Sequence, residues 1–250
     1  MGTDGWSRPT RARVRTIRDR LRAYYARPRN IPHRAPLDEL VLTILSQNTN
    51  DRNRDIAYGR LRARFASWGQ VAAAPREDVE DAIRPGGISK VKSGRIQEIL
   101  QTIEGRRGGL DLDWLESAPR EEALEFLEAL PGVGRKTAAC VLLFSYDRPE
   151  LPVDTHVYRV TQRLGLVPPK APFRTAHELM RELTDPPDVY ELHVNLIRHG
   201  RRLCKSQRPL CEECPLRRLC PYGREVLAKK RAARGPGKGR SGPRARKSGR

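Results

Sequence analysis

The chain has 250 residues, enough to bury a substantial core in one large domain or two compact lobes. Lys and Arg number 49 against 30 Asp and Glu, a net charge of +19 that opposes compaction and points to a polyanionic partner. No apolar run reaches the roughly 20 residues that cross a bilayer, and the start lacks the apolar stretch of a secretory leader. Four of the five cysteines crowd between Cys204 and Cys220, which does not suit a disulfide-stapled secreted chain. The charge and cysteine usage lead to the expectation of a cytoplasmic protein that handles nucleic acid, and a monomer is expected.

Residues 1–10 carry no pattern and are expected to be flexible. Val14, Ile17, Leu21 and Tyr24 recur at three- and four-residue intervals, which predicts an amphipathic helix over 11–27. Leu37 to Gln47 is a second, more apolar helix. Ile56, Leu61 and Phe65 mark a third, after the cap-like Asn50 and Asp51. Pro75 and Asp78 open a short helix ending near Ile83, Pro85-Gly86-Gly87 breaks the chain, and Ser89 is placed to cap a helix through Ile103. Glu121 to Leu130 leads into a glycine turn, with a helix from Lys136 to Phe144 beyond it. Asp154 is placed to cap a helix through Leu164, and later helices are expected over Thr175–Leu183 and Val189–Leu203. Strand-like alternation is nowhere sustained, so the body is all-α. Residues 223–250 hold eleven Lys or Arg against one Glu, and from Gly235 onward only small, basic and Pro residues follow. Such a tail cannot form a core and is expected to be disordered.

The segment Leu130-Pro131-Gly132-Val133-Gly134-Arg135-Lys136-Thr137 has the makings of a phosphate grip. Its glycines permit turn geometry closed to other residues. With the N-terminus of the next helix, the backbone of Gly132, Val133, Gly134, Arg135 and Thr137 can aim N–H groups at a phosphate oxygen. Taken alone, a Gly-x-Gly turn is a common loop and Lys136 an ordinary solvated lysine. An amine at Lys136 and a carboxylate at Asp154, in Pro152-Val153-Asp154-Thr155-His156, add groups that can do chemistry.

Cys204, Cys211, Cys214 and Cys220 are separated by six, two and five residues. Thiolates bind iron–sulfur clusters and zinc. A single Cys-x-x-Cys knuckle flanked by lone cysteines favours a [4Fe–4S] cubane, with zinc as the alternative. Arg201, Arg202, Lys205, Arg208, Arg217 and Arg218 crowd this loop, either to balance the charge of the cluster or to meet a nucleic-acid backbone. Cys140, isolated on an apolar helix, is expected in the core.

At this point the motifs converge. Leu130 to Ala138 resembles the helix–hairpin–helix of the endonuclease III family of DNA glycosylases, and Val153 to Val160 resembles that family's segment with the catalytic aspartate. The cysteine spacing is similar to its [4Fe–4S] site, and Leu196 to Arg201 resembles the approach to the first ligand. The resemblance covers roughly Val14 to Tyr222. It implies two helical lobes flanking a DNA-binding cleft: a six-helix lobe over 36–150, and a cluster lobe built from 11–35 with 151–222. It implies a glycosylase with AP lyase activity on double-stranded DNA carrying damaged bases, usually oxidised pyrimidines, or abasic sites. Lys136 would attack C1′ and Asp154 would stabilise the developing positive charge. Where relatives usually carry a glutamine that fills the gap left by the extruded base, ungapped alignment puts Asn48, with Gln47 one position earlier; the resemblance implies that one of them fills it. Ile88 falls in the loop that wedges the opposite strand, and Arg202, Arg217 and Arg218 are implied DNA contacts. An adenine-mismatch glycosylase, which normally lacks the lysine, is the nearest alternative. A non-catalytic metal-containing DNA-binding protein, which needs neither Lys136 nor Asp154, is the other.

Overall fold

The computed structural model describes residues 5–30 and 35–233. In chain order the helices are α1 (Arg11–Tyr25), α2 (Pro36–Ser46), α3 (Asp51–Arg64), α4 (Trp68–Ala73), α5 (Arg76–Ile83), α6 (Ser89–Arg107), α7 (Arg120–Glu128), α8 (Arg135–Tyr146), α9 (Thr155–Arg163), α10 (Phe173–Leu183), α11 (Val189–Arg202) and α12 (Pro221–Ala233), with no strand among the described residues. Short polar side chains set several of these starts by taking up a first-turn N–H that the helix itself leaves unpaired. Asn50 accepts from Asn53 N at 2.9 Å, Ser67 from Gln70 N at 3.2 Å and Asp154 from Val157 N at 2.7 Å.

The apolar side chains form two cores. One gathers residues from Leu37 to Leu142; the other joins Val14, Ile17 and Leu21 of α1 to residues from Leu143 to Cys220. The N-terminal helix therefore leaves the first core untouched and packs on α11 in the second. The two groups of core side chains divide inside α8, between Leu142 and Leu143. That helix places one end in each core and carries the residues between them to the boundary.

Four expectations from the sequence differ from what is observed. Ser89 lies inside α6 rather than capping it: Gly87 (φ +70°) and Ile88 (φ +44°) turn the chain in the left-handed region, and Ser89 donates to Glu80 instead. Residues 5–10 are packed rather than loose, for the Trp6 indole donates to Gly165 O at 3.1 Å and Arg8 pairs with Glu182. Residues 223–233, expected to be disordered, continue α12, because the Gly223 N–H is held by Cys220 and Val226 and Leu227 find partial cover. The remaining tail, 234–250, lies outside the described residues. The short α4 was not anticipated; it buries only Val71 and Ala72, too few for a readable period.

Lys92 is 1% exposed, and its ammonium donates to Leu45 O and Gly86 O, both at 2.8 Å. It thereby ties the end of α2, just before Gln47 and Asn48, to the turn that carries Ile88. Replacing it with methionine leaves two buried carbonyls without a donor, each a loss of about 1–3 kcal/mol. Lys92→Met is expected to lower unfolding free energy by roughly 2–4 kcal/mol in a urea titration. A loss under 1 kcal/mol would show that water satisfies both carbonyls.

Candidate active site and nucleic-acid interface

The turn between α7 and α8 has the backbone that a phosphate grip needs. Gly132 adopts φ +70°, a conformation that strains any other residue, and a Cβ built there would lie 2.2 Å from Arg95 Nε, so the arginine would have to move as well. Val133 is buried and anchors the tip through Val133 N to Leu130 O at 3.1 Å, which leaves Gly132 and Gly134 exposed on either side. Thr137, in the first turn of α8, is buried.

Beyond the hairpin, a groove of about 650 Å³ runs between the two cores. Lys136 and Thr137 of α8 and Asp154 and Thr155 at the start of α9 line it together. Gln47, Asn48 and Asp51 line it from the α2–α3 side, and Arg201 from α11. Lys136 and Asp154 thus reach one space from opposite sides of the core boundary. Asp154 Oδ1 holds Val157 N as the cap of α9, which fixes where its carboxylate stands. Arg201 and Asp51 pair at 2.7 Å, joining α11 to α3.

The groove contains groups that sequence reasoning did not select. Cys140 lies one helical turn after Lys136 and lines the groove beside it. Glu39, buried in α2, and His193, buried in α11, complete the lining near the lysine. The Lys136 ammonium is held above the usual lysine range, first by Cys140 and then by Asp154 and Glu39, against burial, which acts the other way. Burial pushes the Cys140 thiol up, so its sulfur is uncharged at neutral pH and draws the ammonium only as a dipole. The two carboxylates supply the charge. Burial also drives His193 down to about 4, so its ring is neutral, with Nδ1 2.9 Å from Pro152 O. No local signal marks Glu39 or His193, because α2 and α11 bring them to the lysine, whereas Cys140 follows it by one turn on α8 and is buried as its apolar helix predicts.

Of the other sequence-selected residues, Arg135 turns away from the hairpin. Its guanidinium pairs with Glu128 at 2.8 Å and Glu178 at 3.4 Å, in a network in which Arg120 also binds Glu150 and Glu178. These ions tie α7 and α8 to α10, and so one core to the other. Gln47 is held by Arg95, whose Nη1 donates to its Oε1 at 3.0 Å. Asn48 is exposed at φ +52°, and its side chain makes no hydrogen bond among the described residues. Ile88 is 52% exposed although left-handed backbone is costly for a β-branched residue, by about 1–3 kcal/mol. The fold pays that cost to present an apolar tip.

Cys204, Cys211, Cys214 and Cys220 line one enclosed pocket, together with Val160, Leu164 and Leu216. Burial raises three of the thiols, Cys214 to about 11. Among the described residues no three His, Cys, Asp or Glu side chains stand in metal-binding geometry as they are. Two N–H groups nevertheless reach the sulfurs, Arg163 Nη1 at 3.3 Å from Cys204 and Gly223 N at 3.2 Å from Cys220, and the His199 ring lies beside Cys214, with Nε2 at 3.5 Å. That donor set suits anionic sulfur. Arg163 was not picked out in the sequence because it reaches the loop from α9. Arg217 donates to Glu212 O at 2.7 Å, Arg202 lies over the Tyr25 ring and Arg218 is exposed; none of the three lines the groove.

Comparison with known proteins agrees with this geometry. The model of the HhH-GPD superfamily of base excision DNA repair proteins matches residues 41–186. Endonuclease III of Thermotoga maritima is 38% identical over 198 residues, covering 79% of this chain and 88% of the relative. A non-covalent endonuclease III–DNA complex superposes with a TM-score of 0.75 at 28% identity, over 88% of this chain and 99% of that one. A trapped covalent endonuclease III–DNA intermediate gives 0.73 at 27% identity, with the same coverage. With its hairpin, its shared groove and these relatives, the chain belongs to the HhH-GPD superfamily of base excision DNA repair proteins.

Proposed function

We propose that the protein is a DNA glycosylase with AP lyase activity, which removes damaged bases, chiefly oxidised pyrimidines, from double-stranded DNA and cleaves 3′ to the abasic site. The observation that carries this reading is the opening of Lys136 and Asp154 into one groove beside a glycine hairpin. A base stacked inside a duplex is out of reach, so the nucleotide is extruded at a cost of about a few kcal/mol, which a lesion reduces. The hairpin N–H groups at Gly132 and Gly134 hold the flanking phosphates, and the basic residues Arg202, Arg217 and Arg218 add affinity without sequence preference. Ile88 enters the stack and Asn48, with its uncommitted side chain, fills the gap that the base leaves.

Breaking the base–sugar bond builds positive charge on the sugar, which the Asp154 carboxylate stabilises. Lys136 attacks C1′ as the free amine, displacing the base, and the resulting Schiff base promotes β-elimination of the 3′ phosphate. The lysine rests as an ammonium, so it surrenders a proton first; Asp154, which already draws on that charge, is the acceptor at hand. Incubation with an abasic duplex, with and without borohydride, tests the reading: strand cleavage without reductant and a covalent protein–DNA adduct with it are expected. Binding with neither would leave only a DNA-binding module.

Cys204, Cys211, Cys214 and Cys220 would hold a [4Fe–4S] cluster, in a pocket where N–H donors already face the sulfurs. When bound, such a group cross-links the basic loop 204–220 and stiffens the surface that meets DNA. About four iron and four sulfide per chain are expected on analysis. Equimolar zinc with no iron would overturn the assignment.

A further inference from the structure

Lys92 and Arg95 stand about one turn apart on α6, and both reach the end of α2. Lys92 holds the Leu45 carbonyl at 2.8 Å, and Arg95 Nη1 donates to Gln47 Oε1 at 3.0 Å. Arg95 also lies against the hairpin, where its Nε, Cδ and Cζ occupy the space that a side chain at Gly132 would need. One side chain therefore touches both the turn assigned to phosphate and the loop assigned to the gap, from the helix that begins directly after Ile88. Gln47 is partly buried in this arrangement, whereas Asn48 beside it is exposed and makes no side-chain hydrogen bond among the described residues. The backbone agrees with that division. It is extended at Gln47 (φ −64°, ψ 127°) and left-handed at Asn48 (φ +52°), a region that asparagine enters more readily than glutamine.

Two adjacent carboxamides line the groove, and by chemistry either can pair with the base that an extruded nucleotide leaves behind on the opposite strand. We infer that Arg95 is the positioning residue that assigns this gap to Asn48: by holding the Gln47 amide against α6 it keeps the longer side chain from competing, and the shorter one meets the unpaired base. The inference rests on the base-extruding reading of the groove and deepens it by naming what selects the residue that faces the opposite strand. Gln47 has its acceptor engaged by a guanidinium, and a bond from a charged donor is stronger than one from a neutral base edge. Asn48 gives up no such bond on entering the duplex. Because Arg95 also rests against Gly132, the gap loop is held at a set distance from the hairpin as well as from Ile88.

Binding of a duplex with a tetrahydrofuran abasic analogue opposite guanine, which no lyase can open through a Schiff base, reads gap filling apart from chemistry. With Arg95 in place, Asn48→Ala is expected to weaken binding by roughly ten-fold, the scale of one well-made pair with a base edge, and Gln47→Ala by far less. Arg95→Met keeps the stem against Gly132 but frees Gln47. In that background the Asn48→Ala loss is expected to shrink to a few-fold and the Gln47→Ala loss to grow, a coupling that a merely structural arginine does not produce. Arg95→Lys restores a donor and is expected to return the loss to Asn48. Losses from the two alanine variants that are the same with and without Arg95 would overturn the assignment, as would a greater loss from Gln47→Ala than from Asn48→Ala while Arg95 is present. Cleavage of a natural abasic duplex by the wild-type protein is scored separately. Its absence would remove the lyase reading, while the coupling in binding would still support the role of Arg95.

Discussion

Lys136→Gln is expected to end covalent capture on an abasic duplex under borohydride and to lower strand cleavage by about 10⁴-fold or more, with duplex binding kept within a few-fold. Glutamine has nearly the length of lysine and fits the same half-buried place in α8, but it cannot form a Schiff base. The phosphate grip is assigned to backbone groups at Gly132 and Gly134 and to arginines outside the groove, so the loss falls on chemistry rather than affinity. The same lysine predicts a pH profile. Only the free amine attacks, and the ammonium is held above the usual lysine range, by Cys140 first and then by Asp154 and Glu39. The reactive fraction therefore grows about ten-fold per pH unit, and the rate of capture should climb without a plateau from pH 7 to about 9. A Lys136→Gln protein that still traps would assign the attack to another amine.

The second large effect isolates a charge from a cap. Asp154 does two things: its Oδ1 closes the first turn of α9, and its carboxylate faces the groove. Asparagine caps a helix as well as aspartate does but carries no charge. Asp154→Asn is therefore expected to slow base release by roughly 10²–10³-fold, the scale of removing one preorganised electrostatic stabiliser, while unfolding free energy changes by less than about 0.5 kcal/mol. Asp154→Ala should add a loss of about 1 kcal/mol from the missing cap. Thermal unfolding run beside single-turnover kinetics separates the two roles. Equal turnover by the asparagine variant would reduce Asp154 to its structural part.

Much of the helical order could be read directly because its causes are local. Val14, Ile17 and Leu21 sit at helical spacing and are buried together, and Asn50 and Asp154 cap the helices they precede. Gly132 signals its turn because few residues tolerate φ +70°. The errors have equally definite causes. Ser89 has the chemistry of a cap, but the left-handed pair Gly87–Ile88 had already turned the chain. Residues 223–233 look like the rest of a basic tail, yet the packing of Gly223 against Cys220 extends the fold through α12. Arg135 belongs to the hairpin in sequence and to an ion network in space, since its partner Glu178 comes from α10.

The sequence alone determined most of the helices, where the hairpin turns, how the four thiols are spaced, and that an amine and a carboxylate are available. Each of these depends on backbone conformation or on residues within a few turns of one another. The tertiary fold decided that Lys136 and Asp154 share a groove, that Glu39 and His193 line it beside the lysine, and that Arg95 holds Gln47 while Asn48 stays uncommitted. Those outcomes depend on how two separate cores meet along α8, and contacts between residues so distant in the chain have no local pattern to announce them.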